Sequence, residues 1–158
     1  MTVNYKVLDG GYPIKIDPQG EWFDLFIRGN SETEYFIHDN IVKAPLGLIL
    51  EMPAGIEAHI AARSSTSTVK GVFNPNGIGI IDTSHCGEED EIMFPCRSVD
   101  STPRILHGGD KICQVKFVLS QKATLFQRLN YLLTGIKIKQ VTTLKSSVSR
   151  GGFGHTGY

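Results

Sequence analysis

The sequence predicts an all-β protein with one ordered domain, from the spacing of its apolar runs, its length and its hydrophobic content. Short apolar runs alternate with turn-forming residues from the start of the chain to about residue 120. Many short strands at such spacing are typical of a sandwich, jelly roll or barrel. The length of 158 residues suits one domain with a sizeable core, and the 41% hydrophobic content argues against long disorder. We expect a single β domain over residues 1–144 and a flexible segment over 145–158.

The candidate strands are read from apolar runs and from alternation. The run over residues 56–63 is the clearest, because Ile56, Ala58 and Ile60 alternate with other residues as in a half-buried strand. The other predicted strands cover residues 22–27, 34–38, 45–52, 78–82, 91–99, 111–119 and 136–144. Turn-forming clusters such as residues 74–77 and 108–110 separate them.

One segment has helical periodicity instead. Leu125, Leu129, Leu132 and Leu133 recur at helical spacing, and Gly135 follows where a helix would end. We therefore expect one short helix near residues 124–134. Because surface helices normally bury one face, we expect its apolar face to pack on its own β domain. The alternative is that this face is a surface for a partner protein.

Composition narrows the functional classes. The 16 basic and 16 acidic residues balance, which argues against bulk nucleic-acid binding. No apolar run is long enough to cross a bilayer, and the first ten residues lack a signal-peptide pattern, so we expect a cytoplasmic protein with no membrane partner. Three cysteines without CxxC spacing indicate reduced thiols rather than a zinc site. We interpret Cys113, inside an apolar run, as a core thiol.

The C-terminal segment has an unusual composition for a disordered end. Arg150, Phe153 and Thr156 are interleaved with glycines in RGGFGHTG. Arginine offers a planar donor fork for phosphate, glycines allow close backbone approach to an anion, and an aromatic ring can stack on a base. The segment therefore predicts a lid that orders on a nucleotide.

Three further stretches carry candidate chemistry. Arg63, Ser64 and Ser65 stand at a strand end and could hold phosphate. Asp82 ends an apolar run that follows an Asn-Gly turn, and it could act as a general base on water. Gln114 could present its amide to phosphate. The P-loop pattern is absent from the sequence.

Taken in order, these stretches resemble the signature motifs of the trimeric dUTP pyrophosphatases, or dUTPases, of Gram-positive bacteria and their phages. The motifs read EWFDLF at 21–26, ARSSTSTVKG at 62–71, NGIGIIDTSHCGE at 76–88, GGDKICQ at 108–114 and RGGFGHTG at 150–157. The resemblance implies a jelly-roll-like β barrel, a homotrimer with shared active sites, and Mg²⁺-dependent hydrolysis of dUTP to dUMP and pyrophosphate.

The resemblance also implies roles for single residues. Asp82 would activate the water that attacks the α-phosphorus, and Asp24 would hold Mg²⁺ through water. The residues that would bind substrate are Arg63, Ser64, Ser65, Asn76, Gly79, Ile81, His85, Gln114, Arg150, Phe153, Gly154 and Thr156. Asn76 and the hairpin over residues 77–92 would recognise uracil and exclude cytosine.

Some positions depart from the family pattern. His85 stands where the family usually has a tyrosine that packs on the deoxyribose and blocks a 2′-hydroxyl. His155 stands where serine is common, and Trp22-Phe23 replaces a small residue and tyrosine beside Asp24. For His85, the alternative is that it faces solvent. Two other functions remain open: a dCTP deaminase of the same fold, and a nucleotide-binding regulator that acts through partner contacts.

Overall fold

A computed structural model describes residues 1–16 and 19–145. This part of the chain forms thirteen strands and two helices. In chain order they are β1 Thr2–Val7, β2 Lys15–Ile16, β3 Phe23–Phe26, β4 Glu34–Ile37, β5 Val42–Pro45, β6 Leu48–Glu51, β7 Ile56–Ala62, α1 Ser64–Val69, β8 Val72–Phe73, β9 Ile78–Ile81, β10 Met93–Ser98, β11 Arg104–His107, β12 Lys111–Leu119, α2 Leu125–Thr134 and β13 Lys137–Gln140.

The predicted all-β, jelly-roll-like architecture is confirmed. Within the described residues the strands form four sheets rather than one closed cylinder. Their strand orders are β2-β3-β12-β7-β9, β13-β1-β6, β5-β10-β8 and β11-β4. Among the described strands, neighbours in these sheets pair antiparallel except β1 and β13, which run parallel.

The five-stranded sheet positions most of the candidate site residues. β7 lies between β12 and β9, with Gln114 opposite Ala61 and Ile81 opposite Ala58. Its alternation is as predicted, because Ile56, Ala58 and Ile60 are all buried. These side chains join one apolar core that includes the fully buried Leu25, Ile27, Ile37 and Phe94. Apolar burial of this kind is the main stabilising contribution to folding.

Cys113 was interpreted from the sequence as a core thiol, and the structure confirms this interpretation. Cys113 and Cys96 are both completely buried in the apolar core. Burial raises the pKa of the Cys96 thiol to about 11, and it also raises the pKa of Cys113 well above its ordinary value. Both therefore remain thiols near neutral pH and are inert as nucleophiles.

The sequence-based assignment of elements is wrong at several places. It predicts one helix, but α1 is a second one, and strands β1, β2, β8 and β11 were not predicted. The predicted strand over residues 45–52 contains β6 but only the last residue of β5, because Leu46 and Gly47 turn the chain between these two strands. Gly47 has φ +65°, a conformation that favours glycine.

Gly11 and Gly47 are in close backbone contact at this turn. A Cβ atom on Gly11 would lie 2.4 Å from the Gly47 carbonyl oxygen, and one on Gly47 would lie 2.5 Å from the Gly11 Cα. Hydrogen bonds hold both segments here, from Leu8 N–H to the Gly47 carbonyl at 2.8 Å and from Gly47 N–H to Glu91 Oε1 at 2.8 Å. Neither position has room for a side chain.

Helix α2 lies where the sequence predicts it, but its apolar face does not point in the expected direction. Thr124 caps its start by accepting from Gln127 N–H at 3.3 Å, and Gly135 ends it. None of its residues is buried, and its leucines point away from the β domain. The expectation that the apolar face packs on the chain's own domain is therefore wrong. No helix in the described part of the chain is long and apolar enough to span a membrane.

Candidate active site

Asp24 is the centre of a charged cluster at one end of the five-stranded sheet. Its Oδ1 lies 2.9 Å from Arg63 Nε and its Oδ2 lies 3.1 Å from Lys111 Nζ. The Asp24 side chain is only 13% exposed, so both ion pairs are partly shielded from water. β3, β7 and β12 bring these residues together, because Gln114 pairs opposite Asp24 and Arg63 directly follows β7. We call Asp24, Arg63, Lys111 and Gln114 the basic cluster.

The start of α1 extends the basic cluster. Arg63 is its N-cap residue, and Ser64 and Ser65 form the first turn, with Ser64 exposed. First-turn N–H groups have no partner within a helix, and together with the helix dipole they favour anions. Sequence reasoning assigned Arg63, Ser64, Ser65 and Gln114 to phosphate, and the structure brings these four residues to the same end of the sheet. Sequence reasoning did not assign Lys111 to the site, although Lys111 lies within the quoted motif GGDKICQ.

Thr66 fixes the start of α1 and was also not predicted. Its hydroxyl is completely buried, accepts from Arg63 N–H at 3.0 Å and donates to the Ile112 carbonyl at 2.6 Å. The hydroxyl therefore joins α1 to β12, the strand that carries Gln114. A serine- and threonine-rich segment has weak helix propensity, so this tertiary contact is what stabilises the helix here.

The substitution Thr66→Val is expected to destabilise the protein by about 1–3 kcal/mol, because it keeps the shape and removes both buried hydrogen bonds. Urea unfolding monitored by circular dichroism measures this free energy. Thr68→Val is the matched control, since Thr68 lies on the exposed side of α1. Equal stability of the two variants would contradict the bridging role of Thr66.

Asp82 follows β9 at the opposite end of the sheet. Its Oδ1 accepts from Ser84 N–H at 2.9 Å and also from the Ser84 hydroxyl. His85 N–H donates to the Asp82 carbonyl oxygen at 3.3 Å. This local turn orients an exposed carboxylate, and Ser84 is a positioning residue that sequence reasoning did not find.

Two adjoining clefts flank β9. The larger, of about 680 Å³, is lined by Asp82, Ser84 and Glu57 and by Lys122, Thr124 and Gln127 around the start of α2. The smaller, of about 180 Å³, is lined by Asn76, Gly79 and Ile81 together with Phe94 and Pro95. Ile80 lines both clefts. Asn76, Gly79 and Ile81, which were all predicted to bind substrate, thus line one cavity.

His85 lies inside the loop after Asp82 rather than in solvent. Its side chain is 17% exposed, and its Nδ1 is 3.8 Å from Oδ1 of Asp90. Asp90 is itself buried and accepts from Gly87 N–H at 2.8 Å. The alternative that His85 faces solvent is therefore wrong.

The basic cluster and Asp82 are far apart within one chain. Asp82 follows Ile81, which pairs with Ala58, so Asp82 lies level with Glu57 at the start of β7. Arg63 follows the end of the same strand. The six residues from Glu57 to Arg63 span about 20 Å at about 3.3 Å per residue. Asp82 and Arg63 of one chain therefore cannot hold the same phosphate.

The predicted lid lies almost entirely outside the described residues. Of the segment 145–158 only Lys145 is described, and its N–H donates to Glu51 Oε1 at 2.7 Å. Arg150, Phe153, Gly154 and Thr156 lie outside the described residues.

The fold and these two groups of polar residues define a small jelly-roll-like β protein with cationic side chains gathered at a strand end. No family model matches the chain. The SPbeta prophage-derived deoxyuridine 5′-triphosphate nucleotidohydrolase YosS of Bacillus subtilis is 33% identical over 158 residues, covering 99% of each chain. A deoxyuridine 5′-triphosphate nucleotidohydrolase of Finegoldia magna is 31% identical over 115 residues, covering 72% of this chain and 69% of the relative. The chain belongs to the dUTPase family.

Solved structures support the same fold. The dUTPase of Streptococcus mutans superposes with a TM-score of 0.65 at 19% identity, over 77% of this chain and 98% of that one. A dUTPase of Staphylococcus bacteriophage 80alpha, in a complex with dUpNHpp, superposes with a TM-score of 0.61 at 15% identity, over 99% and 98% of the two chains. At these identities the comparison concerns the fold alone.

Proposed function

We propose that this protein hydrolyses dUTP to dUMP and pyrophosphate. The observation that carries this proposal is the Asp82 carboxylate, which is exposed on a 680 Å³ cleft and oriented by Ser84. Membership of the dUTPase family supports it.

In the proposed reaction, Asp82 accepts a proton from a water molecule. The water oxygen forms a bond to the α-phosphorus, and the bond from that phosphorus to the oxygen bridging to the β-phosphorus breaks. Pyrophosphate leaves with the bonding electron pair. Such phosphoryl chemistry needs mainly positioning and charge stabilisation. Arg63, Lys111 and the first turn of α1 supply positive charge and N–H donors to the phosphates.

Mg²⁺ fits this site as a substrate-held ion. No group of three or more histidine, cysteine or acidic side chains in the described residues could hold a metal. Mg²⁺ usually keeps several waters and binds through one or two carboxylates plus substrate phosphates. Asp24 can supply one carboxylate through water, although Arg63 and Lys111 already pair with it. Bound there, the ion would neutralise charge on the phosphates. A dUTPase of phage phi11 from Staphylococcus aureus coordinates a structural Mg(II) ion.

The active site is shared between copies of the chain. Because Asp82 and Arg63 lie about 20 Å apart along β7, Asp82 needs the basic cluster of a second copy. A homotrimer with three such sites meets this need, since cyclic symmetry repeats one contact and closes. Ordering of the segment 145–158 over the bound nucleotide would complete each site.

The base and the sugar are recognised along β9. Asn76, Gly79 and Ile81 surround the 180 Å³ cavity and would present polar groups to uracil. His85, held towards the buried Asp90, would pack against the deoxyribose.

The substitution His85→Tyr is expected to raise the ratio of kcat/KM for dUTP over UTP about tenfold, because a larger ring leaves less room for a 2′-hydroxyl. Steady-state kinetics with both nucleotides measure the ratio. His38→Tyr is the control, as His38 lies exposed on the surface after β4. An unchanged ratio of kcat/KM values in His85→Tyr would show that this side chain does not contact the sugar.

A product assay tests the proposed function against its alternatives. The protein is incubated with Mg²⁺ and dUTP, dCTP, UTP or dTTP separately, and products are identified by chromatography. We expect dUMP and pyrophosphate from dUTP. Conversion of dCTP to dUTP would instead indicate a deaminase. Absence of turnover with dUTP, combined with nucleotide binding, would favour the regulatory alternative.

A further inference from the structure

Asn74 is a buried polar residue in the wall of the 180 Å³ cavity. It lies between β8 and β9, two residues before the motif that begins at Asn76, and sequence reasoning did not assign it to the site. Only 7% of the residue is exposed, and it lines the cavity together with Asn76 and Gly79. Because a buried amide costs free energy unless its polar atoms have partners, its hydrogen bonds indicate its role.

One half of the Asn74 amide is used by the turn that leads into β9. Its Oδ1 accepts from Asn76 N–H at 2.9 Å, and its main-chain carbonyl accepts from Gly77 N–H at 3.0 Å. Gly77 has φ +70°, a conformation that favours glycine. Because a main-chain N–H must donate, the side-chain atom that it contacts is the amide oxygen, and this fixes the orientation of the amide. The Nδ2 group of Asn74 therefore remains for another partner.

This Nδ2 group has no acceptor in the part of the chain that the structure describes. Asn74 Nδ2 makes no hydrogen bond within residues 1–16 and 19–145, and it is not sealed from solvent in the core. Most of the cavity wall is apolar, with Ile60, Phe94 and Pro95 among its residues. A few polar groups in an apolar pocket are what fixes the orientation of a bound ligand. A ligand in the cavity is therefore the partner that this donor can bind.

The chemistry of a lone N–H donor distinguishes the two pyrimidines. Uracil, like thymine, has a carbonyl oxygen at ring position 4, whereas cytosine has an amino group there. A donor at this edge pairs with the carbonyl oxygen of uracil, but it faces a second donor when cytosine is bound. Because a buried donor without a partner costs free energy, a site of this kind rejects the wrong base more strongly than an apolar pocket does.

We propose that Asn74 is a specificity-determining residue, whose Nδ2 donates to the position-4 oxygen of uracil and excludes the amino group of cytosine. The inference rests on the proposed function, because it takes the 180 Å³ cavity as the site of the base. It extends that proposal, in which Asn76 and the hairpin over residues 77–92 recognise uracil. The Asn74 amide has two tasks, since its oxygen holds the turn and its nitrogen binds the base that the turn encloses.

The substitution Asn74→Asp separates these two tasks in the full chain. Aspartate keeps an oxygen that accepts from Asn76 N–H, and it replaces the Nδ2 donor by an acceptor. We expect the ratio of Kd for dCMP to Kd for dUMP to fall at least about tenfold, because the new oxygen accepts from the cytosine amino group. Isothermal titration calorimetry with both monophosphates measures the ratio at about pH 8, where the introduced carboxyl group is ionised.

Asn40→Asp is the matched control, since it makes the same chemical change at an exposed asparagine after β4. The added negative charge repels both monophosphates alike, so only the ratio of the two Kd values tests the hydrogen bond. Circular dichroism checks that Asn74→Asp is folded. An unchanged ratio in the folded variant would overturn the proposal.

A second measurement uses the unsubstituted protein and does not depend on the stability of any variant. Nuclear magnetic resonance detects the two side-chain N–H signals of Asn74 in isotope-labelled protein, and these signals are assigned by their absence from the spectrum of Asn74→Asp. We expect saturation with dUMP to shift them and to slow their exchange with water, and dCMP to do neither. Saturation with dUMP that leaves them unmoved would overturn the proposal, as would failure of dUMP to bind. Neither readout uses dUTP turnover, so failure of the proposed function would be detected separately in the product assay.

Discussion

Mixing two inactive variants, Asp82→Asn and Arg63→Ala, is expected to restore about a quarter of wild-type dUTP turnover. If the site is shared as proposed, each variant alone lacks one half of it, because Asp82 and the basic cluster of one chain lie at opposite ends of β7. In randomly mixed trimers, about one contact in four joins an intact Asp82 to an intact Arg63. The variants are mixed at equal amounts, dissociated and reassociated, and assayed for pyrophosphate release.

The control is the double variant Asp82→Asn/Arg63→Ala mixed with either single variant. In these mixtures no contact between two subunits can combine an intact Asp82 with an intact Arg63. The Asp82→Asn chain should also still bind dUpNHpp, because an amide keeps the shape and loses the base. Inactive mixtures that form trimers would contradict a site shared between subunits. Loss of nucleotide binding in Asp82→Asn would contradict a pure base role.

Truncation after Ser149 is expected to lower kcat for dUTP by about 10³-fold or more. Removal of an arginine that stabilises the transition state of phosphoryl transfer lowers kcat by a similar factor. It removes Arg150, Phe153 and Thr156, which the sequence predicts to contact phosphate and base. A lid that excludes water strengthens every electrostatic interaction inside the site. Single-turnover kinetics at saturating dUTP measure the loss.

Removal of Tyr158 alone is the matched control for the truncation, since it shortens the chain but leaves RGGFGHTG intact. The truncated protein should keep its thermal midpoint and its oligomeric state. Full turnover without residues 150–158 would refute the lid.

The predictable parts of the fold are those where apolar periodicity is strong. Strand β7 alternates as expected, and the boundaries of α2 agree with its leucine spacing and with Gly135. Helix α1 could not be predicted, because SSTSTV has no apolar period and its helix depends on the contact from Thr66 to Ile112. Strand β11, with the short sequence RILH, is defined by pairing with β4 rather than by its own pattern.

Periodicity predicts that a helix has an apolar face but not what this face contacts. The spacing of Leu125, Leu129 and Leu132 is the same whether they pack on the chain's own domain or on another molecule. Two polar contacts fix the orientation of α2, namely Gln127 against Gly55 and the Met1 ammonium at the end of the helix. No sequence pattern predicts these contacts. The packing expectation failed for this reason.

The candidate site was predictable as a set of residues but not as an arrangement. The ordered motifs name Arg63, Asp82 and Gln114 together, and only the strand register separates Asp82 from the other two. The supporting residues Thr66 and Ser84 act through single local hydrogen bonds, which leave no recognisable mark in the sequence.

The contact between Gly11 and Gly47 has a consequence for evolutionary contact prediction. Both positions exclude every side chain, so neither can change to compensate for a change in the other. Pairs of positions that vary together reveal spatial neighbours, whereas two positions that cannot vary carry no such signal. We expect this backbone junction to be among the closest approaches in the molecule and to be invisible to covariation in any set of homologous sequences.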